Sequence, residues 1–523
     1  TPNGSTLPWR VVGGVKVGHL IAEPVDHEFA PGLRAQVWGY NGGTPGPTIE
    51  AIEGDRVRIY VTNRLPEPTT VHWHGIILPN GMDGAAGLNQ RPIEPGETFA
   101  YEFTLRHAGT FMYHPHYDEM TQIALGMIGM IVVHPRRRSP GRVRDYALMA
   151  HEWKIEPGAS RPDPLAMNDF NQLAFNGKAF PATTPLVAQT GERVRIRLGN
   201  LGPMDHHPIH LHGLNFTVTA TDGGFVPASA QVRDTTVLLP VGSTRVIEFV
   251  PDEPGDWGMH CHMTHHVMTQ MGHGLPPMVG VNTKKLDHRM SRVMPEYMTM
   301  GTKGMGGMGE MEMKIPQNSL PMRGGPGPFS YIDMGGMFTV LKVRDDPSAA
   351  PNAWYRHPQG TVAGPADAAR MTADGVDPAA AASVADNVVD GYRGVAPHLP
   401  HLLERDPDTE VLILNEIGRR PPMSSSVVLY AGLTALALGA RRVHLVDGRG
   451  HVRAHAAGLG MVAHSPDALR AVGPAALVVD STGTKTGVGL AIRHTAPDGI
   501  CVSLAILSRR SSIPTALIDR KST

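Results

Sequence analysis

Histidine occurs in four short clusters whose spacing suits metal binding. The clusters are His72-Trp73-His74, His114-Pro115-His116, His207-Pro208-Ile209-His210-Leu211-His212 and His260-Cys261-His262. Successive side chains of a β-strand point to opposite faces, so the two imidazoles of a His-x-His pair share one face, about 7 Å apart. Four such pairs supply eight imidazoles, which suit three copper ions and leave coordination positions open for dioxygen.

A second ligand set remains after these eight histidines are assigned. It consists of His207, Cys261, His266 and Met271. Two imidazoles, one thiolate and a weak axial thioether are the ligands of a blue-copper electron-transfer site. Cys261 lies between His260 and His262, so its thiolate faces one metal while its neighbours face the other cluster. The pattern therefore predicts that electrons cross this short bridge one at a time, and that four of them reduce dioxygen to water.

An internal repeat indicates which elements position the clusters. Residues 41–75 and 176–213 each contain a Gly-acidic-Arg-Val-Arg-Ile segment and end in His-x-His-Gly, and residues 109–116 match 255–262. Polar and apolar residues alternate at 56–62 and at 193–198, which predicts half-buried strands. We expect two copies of a β-sandwich of roughly 130 residues, a usual domain size.

The composition agrees with a copper-binding, loop-rich β protein. Basic and acidic residues number 47 and 48, which favours neither a nucleic-acid nor an anionic-membrane partner. The two cysteines exclude a disulfide scaffold, whereas 27 His and 27 Met supply many copper-binding side chains. The longest apolar stretch, residues 427–440, is too short to span a bilayer.

In order and internal spacing, the four clusters resemble those of the multicopper oxidases, the laccase family, over about residues 35–285. The run His-Cys-His-x3-His-x4-Met at 260–271 is the most specific part. The resemblance implies cupredoxin-like Greek-key sandwiches, four copper ions per chain, and oxidation of phenols, aromatic amines or metal ions such as Cu(I) with O2 as acceptor. It also implies a periplasmic or secreted location.

The resemblance further implies a role for each ligand. His72 and His210 would hold a type-2 copper. His207, Cys261, His266 and Met271 would hold a type-1 copper. The type-3 pair would be held by the remaining six histidines, namely His74, His114, His116, His212, His260 and His262.

The first repeat lacks the thiolate ligand. When His114 is aligned with His260, Pro115 falls opposite Cys261, and proline cannot bind a metal. The resemblance is therefore to two-domain laccases with the type-1 copper in the second domain. About 40 residues separate Pro135 from the next repeat, which begins at residue 176, too few for a middle domain. The resemblance implies a homotrimer whose three-copper clusters lie at subunit interfaces.

Two acidic residues beside the clusters are candidate proton donors. Asp83 follows the first cluster and resembles an acidic residue that family members place near the type-2 copper, and Glu119 follows the second cluster. Each has a simpler interpretation, Asp83 as a turn residue before Gly84 and Glu119 as a solvated side chain. Together with Cys261 they form the predicted catalytic set.

The rest of the chain has a different character. We predict cupredoxin domains at 1–140 and 141–286, a loosely wrapped Met-rich extension at 287–345, a linker at 346–385 and a Rossmann-like α/β domain at 386–523. This last domain resembles the nucleotide-binding half of medium-chain alcohol dehydrogenases, with Asp447 placed to bind a ribose. Residues 416–422 contain one glycine, Gly418, and bulky side chains where a pyrophosphate would lie. We therefore expect a degenerate domain without NAD(P).

Two alternative functions stay open. Copper nitrite reductases also have two cupredoxin domains, but their catalytic copper needs only three histidines and they lack the His-Cys-His sequence. A copper-binding or copper-tolerance protein is the second alternative. Its main site would be the Met-rich segment, where eleven methionines between Met290 and Met337 could bind soft Cu(I).

Overall fold

The structure is a computed structural model in which two compact units, Thr1–Thr361 and Val362–Thr523, are distinguished. It describes residues 1–137, 141–267, 283–294, 315–321, 324–348, 352–376, 391–392, 394–415, 425–482 and 484–504. The predicted ligand Met271, the core of the Met-rich segment at 295–314 and the loop at 416–422 lie outside these residues.

The first sandwich contains eight strands. They are β1 (Arg10–Val12), β2 (Val15–Ala30), β3 (Leu33–Tyr40), β4 (Ile49–Ile52), β5 (Arg56–Asn63), β6 (Thr98–Thr104), β7 (Gly109–Tyr113) and β8 (Gly129–His134). One sheet has the order β1-β2-β5-β6 with β3 also paired to β2, and the other has the order β4-β8-β7. The two sheets bury one common apolar core, to which β5 contributes Val57, Ile59 and Val61. Strand β5 alternates between buried and more exposed residues, as its sequence predicts.

Among the residues described before the Met-rich segment, the second sandwich contains eleven strands. They are β9 (Arg144–Trp153), β10 (Gln172–Phe175), β11 (Leu186–Gln189), β12 (Val194–Asn200), β13 (His207–Leu211), β14 (Phe216–Thr221), β15 (Gly224–Phe225), β16 (Arg233–Asp234), β17 (Thr236–Leu239), β18 (Ser243–Phe249) and β19 (Gly255–Cys261). One sheet has the order β10-β9-β12-β18-β14-β15, with β16 also paired to β14. In the described part of the first unit, the α-helices are α1 (Glu119–Ala124), between β7 and β8, and α2 (Lys284–Met290), after the second sandwich's β19.

The predicted end of the second domain at residue 286 is wrong in one respect. After a short hairpin of β20 (Gly325–Pro326) and β21 (Tyr331–Ile332), the chain forms β22 (Phe338–Arg344). Strand β22 pairs with both β11 and β19 in the sheet of order β11-β22-β19-β13-β17. The last part of the predicted extension is therefore an interior strand. Its residues Phe338 to Val343 are all buried. Leu341 and Val343 belong to the second core, and Phe338 and Val340 pack with Phe180 in a smaller apolar cluster.

The two sandwiches pack tightly against each other. Strand β12 shows why, because Arg197 is buried although a period-two pattern predicts that it faces solvent. Its guanidinium donates to Thr110 of the first sandwich at 2.7 Å and to Asp145 at 2.8 Å. A shared apolar cluster of Met112, Met130 and Met149 continues the contact. Burial of the outer face of β12 thus follows from domain packing and not from the strand itself.

The second unit alternates helices and strands, as its sequence predicts. Its elements are α3 (Ala368–Ala373), α4 (Leu399–Arg405), β23 (Glu410–Leu414), α5 (Ser425–Ala437), β24 (Arg442–Val446), α6 (Gly450–Gly458), β25 (Val462–His464), β26 (Ala475–Asp480), α7 (Lys485–His494) and β27 (Thr495–Ser503). The sheet has the order β25-β24-β23-β26-β27 and all its pairings are parallel. Among the described residues, no helix is long and apolar enough to cross a membrane.

Candidate metal centre

Cys261 lies at the end of β19, in the apolar core of the second sandwich, where two histidines meet its sulfur. Its Sγ lies 3.6 Å from His207 Nδ1 and 3.4 Å from His266 Nδ1. The three side chains are at most 7% exposed. Burial raises the pKa of the Cys261 thiol to about 12, so the metal-free site holds a thiol, and a bound metal would deprotonate it. Two imidazoles and a sulfur around one point can hold a copper ion.

A carboxylate contacts each of these two imidazoles at the ring nitrogen that faces away from Cys261. The Nε2 atom of His207 lies 3.0 Å from Glu152, and both side chains are completely buried. The Nε2 atom of His266 lies 3.3 Å from Asp205. Each imidazole therefore has one nitrogen beside a carboxylate and turns the other towards Cys261. Carboxylates in this position fix the tautomer and ring orientation of a ligand histidine.

Sequence reasoning missed both Glu152 and Asp205. Glu152 lies in β9, within the apolar run Ala-Leu-Met-Ala-His-Glu-Trp at 147–153. An acidic residue inside a strand that is buried on both faces is the signal that could have drawn attention to it. Burial by itself raises the pKa of Glu152, but the hydrogen bond with His207 and the attraction to that ring hold it below its ordinary value.

The second histidine group lies on the opposite face of the sheet from Cys261. In the pairing of β13 with β19, Ile209 lies opposite Cys261 and His210 lies opposite His260. His210, His212, His260 and His262 therefore share the other face, with ring centroids 4.9 to 5.8 Å apart. This is the division that the alternation in His260-Cys261-His262 predicts. The rings within the two His-x-His pairs lie 4.9 and 5.4 Å apart, closer than the predicted 7 Å.

The first histidine group is built in the same way. Trp73 is fully buried against Tyr101 and Tyr113, so His72 and His74 share the outer face. A backbone bridge pairs His72 with His114, which brings in the second His-x-His pair. One ligand atom from each of His72, His74 and His114 lies within 4.8 Å of the others. The ring of His116 lies 4.8 Å from that of His72.

The structure does not bring the two groups of four together within one chain. Every ring contact that these eight histidines make with one another joins members of the same group, among the described residues. A Cβ atom built on Gly242 would lie 3.9 Å from the ring of His74. The part of the second sandwich that lies beside His74 is therefore this loop and not the second histidine group. His262 is exposed, and the side chain of His116 is 36% exposed. Each group thus supplies four of the eight histidines predicted for the three-copper site, and each group is open to the surface.

Both predicted acidic residues lie beside the first group. The Nδ1 atom of His72 lies 2.8 Å from the backbone oxygen of Asp83 and 3.5 Å from its carboxylate. Asn89 donates to that carboxylate at 3.2 Å. Glu119 contacts Nδ1 of His116. Both carboxylates are close enough to a candidate ligand to orient it, and their roles as proton donors stay predictions.

In the second unit, Asp447 is buried and its carboxylate is already engaged. Arg449 donates to it from its backbone and its guanidinium, at 2.8 to 3.0 Å, and Asn415 donates at 2.6 Å. Burial raises the pKa of Asp447, but these hydrogen bonds hold it below its ordinary value. A carboxylate occupied in this way is poorly placed to accept the hydroxyls of a ribose.

Comparison with known proteins gives matches for the two sandwiches. Residues 22–138 and 156–278 match two family models, each described as multicopper oxidase. Copper resistance protein A of Pseudomonas syringae pv. tomato is 29% identical over 244 residues, 37% of this chain and 40% of that protein. Laccase-1 of Emericella nidulans is 44% identical over 114 residues, 21% of this chain and 18% of that protein. The chain thus spans well under two thirds of these relatives.

Among solved structures, the blue copper oxidase from Nitrosomonas europaea is 30% identical. The match covers 49% of this chain and 81% of that chain, with a TM-score of 0.45. The two family-model matches cover most of each sandwich and include all eleven candidate histidine and cysteine ligands described above. The chain therefore carries two multicopper oxidase domains.

Proposed function

We propose that this chain is a laccase-like oxidase that takes electrons singly from phenols, aromatic amines or metal ions such as Cu(I) and reduces O2 to water. The observation that carries the proposal is the position of Cys261. Its sulfur faces His207 and His266, while its sequence neighbours His260 and His262 face the other histidine group. One residue thus joins an electron-accepting site to an oxygen site through covalent bonds.

The donor atoms fit copper. His207, Cys261 and His266, with Met271 as a fourth ligand, would hold one ion, and the eight paired histidines would hold three more. Burial lowers the pKa of His74, His114, His212 and His260, that of His114 to about 3. These imidazoles are neutral at pH 7 and keep a lone pair for a metal. When bound, copper supplies the one-electron chemistry and binds dioxygen, and the protein holds the ligands in place.

Protons for the reduction of O2 would reach the cluster through the carboxylates beside the first group. Asp83 and Glu119 each contact a histidine that is a candidate ligand, and both side chains are partly exposed to solvent. A carboxylate in this position can take a proton from water and pass it to a reacting oxygen.

The oxygen site would be completed between subunits. Each half-site carries exposed apolar side chains beside it, Ile77 and Met120 near the first group, Leu238 and Met263 near the second, at 39% to 62% exposure. Exposed apolar patches beside unsatisfied ligand groups are typical of protein interfaces. Contact between the first domain of one subunit and the second domain of the next is head-to-tail, so it must close into a ring or run on as a filament. We propose a homotrimer, with the protein located in the periplasm or secreted.

The alternatives are less well supported by the described residues. Eight paired histidines exceed what the catalytic copper of a nitrite reductase needs. A copper store has no need of a buried cysteine placed between two histidine groups. The contribution of the Met-rich segment to Cu(I) binding concerns residues 295–314, outside the described ones, and stays a prediction.

Copper content, colour and oxygen uptake test the proposal together. The copper-loaded chain is expected to bind four copper ions, to show the intense blue absorption of a copper-thiolate bond, and to consume O2 with a phenol or Cu(I), with Mn(II) as a third reductant for comparison. Cys261→Ser is expected to abolish the blue band and to lower the copper content by about one ion per chain. Cys501→Ser, which removes the exposed cysteine, is the matched control. A blue band that survives Cys261→Ser refutes the assignment.

A further inference from the structure

Glu152 is the most deeply buried acidic residue near the candidate type-1 site, and it does not touch the cysteine. Its carboxylate accepts from His207 Nε2 at 3.0 Å and from the backbone amides of Met204 and Asp205 at 3.1 and 2.9 Å. A charge with no solvent exposure is tolerated only when hydrogen bonds replace its lost water. Three donors surround this carboxylate, so its position is closely determined.

The loop that follows β12 is shaped around the same carboxylate. A Cβ atom at Gly202 would lie 2.0 Å from one oxygen of Glu152 and 2.4 Å from the other. Any side chain larger than hydrogen would therefore displace either the loop or the carboxylate. Asn200 secures the loop by accepting from the Gly202 amide at 2.8 Å.

The contacts of Glu152 extend to both imidazoles of the site. The amide of Asp205 donates to Glu152, and the side chain of Asp205 lies 3.3 Å from His266 Nε2. One buried carboxylate thus holds His207 directly and holds the segment that orients His266. The Nδ1 atoms of both rings are left facing Cys261.

From these contacts, and resting on the proposed function, we propose that Glu152 is the positioning residue of the type-1 site, which pre-arranges both histidine ligands and lowers the reduction potential of the bound copper. The physical reason is twofold. A carboxylate on Nε2 keeps the proton there and leaves Nδ1 free to bind metal. Its fixed negative charge stabilises Cu(II) over Cu(I), and a low-dielectric interior screens that charge weakly.

The test uses the full-length, copper-loaded protein and the variant Glu152→Gln. The variant keeps the shape but loses the charge, and its amide NH2 must face either His207 or the two backbone donors, none of which can accept from it while His207 carries its proton on Nε2. We expect a higher reduction potential, measured by redox titration of the blue band, and a 10–100-fold weaker retention of the type-1 copper against a chelator. Glu192→Gln is the matched control, because Glu192 is a 12%-exposed carboxylate of the same sandwich that pairs with Arg144.

Glu152→Asp keeps the negative charge but shortens the side chain by one methylene. The reduction potential of this variant is therefore expected to lie closer to that of the unmodified protein than the potential of Glu152→Gln does. If Glu152→Gln does not fold, copper retention in Glu152→Asp decides, and retention equal to that of Glu192→Gln overturns the proposal. The proposal is also overturned if Glu152→Gln changes neither the reduction potential nor the retention of the type-1 copper. The proposed function fails separately, if the unmodified chain binds copper without a blue band.

Discussion

At the scale of single residues, several histidines are buried, and burial keeps their imidazoles neutral in the folded protein. The candidate ligand His114 is one, and His27 in β2 is another that lies far from the ligands in sequence. The His27 ring donates to the backbone oxygen of Gly177 across the contact between the sandwiches, at 2.5 Å, and packs edge-on against Phe29. Burial lowers the pKa of His27 to about 4. Such residues connect the pH dependence of stability to domain packing.

We predict that the metal-free protein loses stability as the pH falls from about 6.5 to about 4, in part through His27. Below its unfolded pKa the unfolded chain binds a proton that the folded chain excludes until about pH 4, so unfolding becomes easier across this window. Above the window the contribution is fully present. A shift of this size corresponds to about 3 kcal/mol at most. Denaturant unfolding at several pH values measures the slope.

His27→Gln is expected to make that slope shallower, because the neutral amide can still donate to Gly177 and does not titrate. His451→Gln, at an exposed histidine of the second unit, serves as its control and leaves the slope unchanged. Equal slopes for His27→Gln and the unmodified protein would show that His27 is not responsible.

At the scale of secondary-structure elements, β22 links the end of the first unit to the metal site. It pairs with β19 along Gly255 to His260, and the backbone oxygen of Met337 accepts from the Cys261 amide at 3.2 Å. The described chain thus contacts the site on both sides of the Met-rich segment, through His266 before it and through β22 after it.

Two deletions are therefore expected to behave differently. Removal of residues 295–314 keeps β22, so the blue band and phenol oxidation should persist while Cu(I) oxidation or copper tolerance weakens. Truncation after residue 294 removes β22 and leaves the edge of β19 unpaired, so the blue band should disappear. Absorption spectra and oxygen uptake of both proteins measure this. An equal loss of phenol and Cu(I) oxidation in the 295–314 deletion would show that this segment is structural.

At the scale of the whole molecule, the two half-sites predict that activity requires assembly. Light scattering should give about three times the chain mass of 56.2 kDa. Ile77→Glu and Leu238→Glu place a charge on apolar side chains that are 58% and 53% exposed, so each should weaken assembly and oxygen uptake while the blue band persists. Val376→Glu, at an exposed apolar residue of the second unit, is the control. A monomer with full activity contradicts the intersubunit site.

The second unit gives a separate prediction about nucleotides. We expect no micromolar affinity for NAD or NADP, because the carboxylate of Asp447 is engaged by Arg449 and Asn415. Isothermal titration calorimetry on the full-length chain measures this. Micromolar binding would make the chain a bifunctional fusion and would contradict the prediction that its last domain is degenerate.

The sequence by itself determined the histidine clusters, the two repeats and the division of ligands across one strand. Period-two alternation depends only on local backbone geometry, so it predicted that Cys261 and His260 face opposite sides. The alternation of helices and strands in the second unit was predictable for the same reason.

Only the tertiary structure decided which distant groups support the site. Glu152, Asp205 and β22 reach Cys261 and its ligands through contacts between residues far apart in sequence, and no local pattern specifies such contacts. Burial of Arg197 likewise follows from the neighbouring sandwich, which a strand's own periodicity does not include. The separation of the two histidine groups within one chain is also a property of domain packing, because sequence spacing measures distance along the chain and not across it.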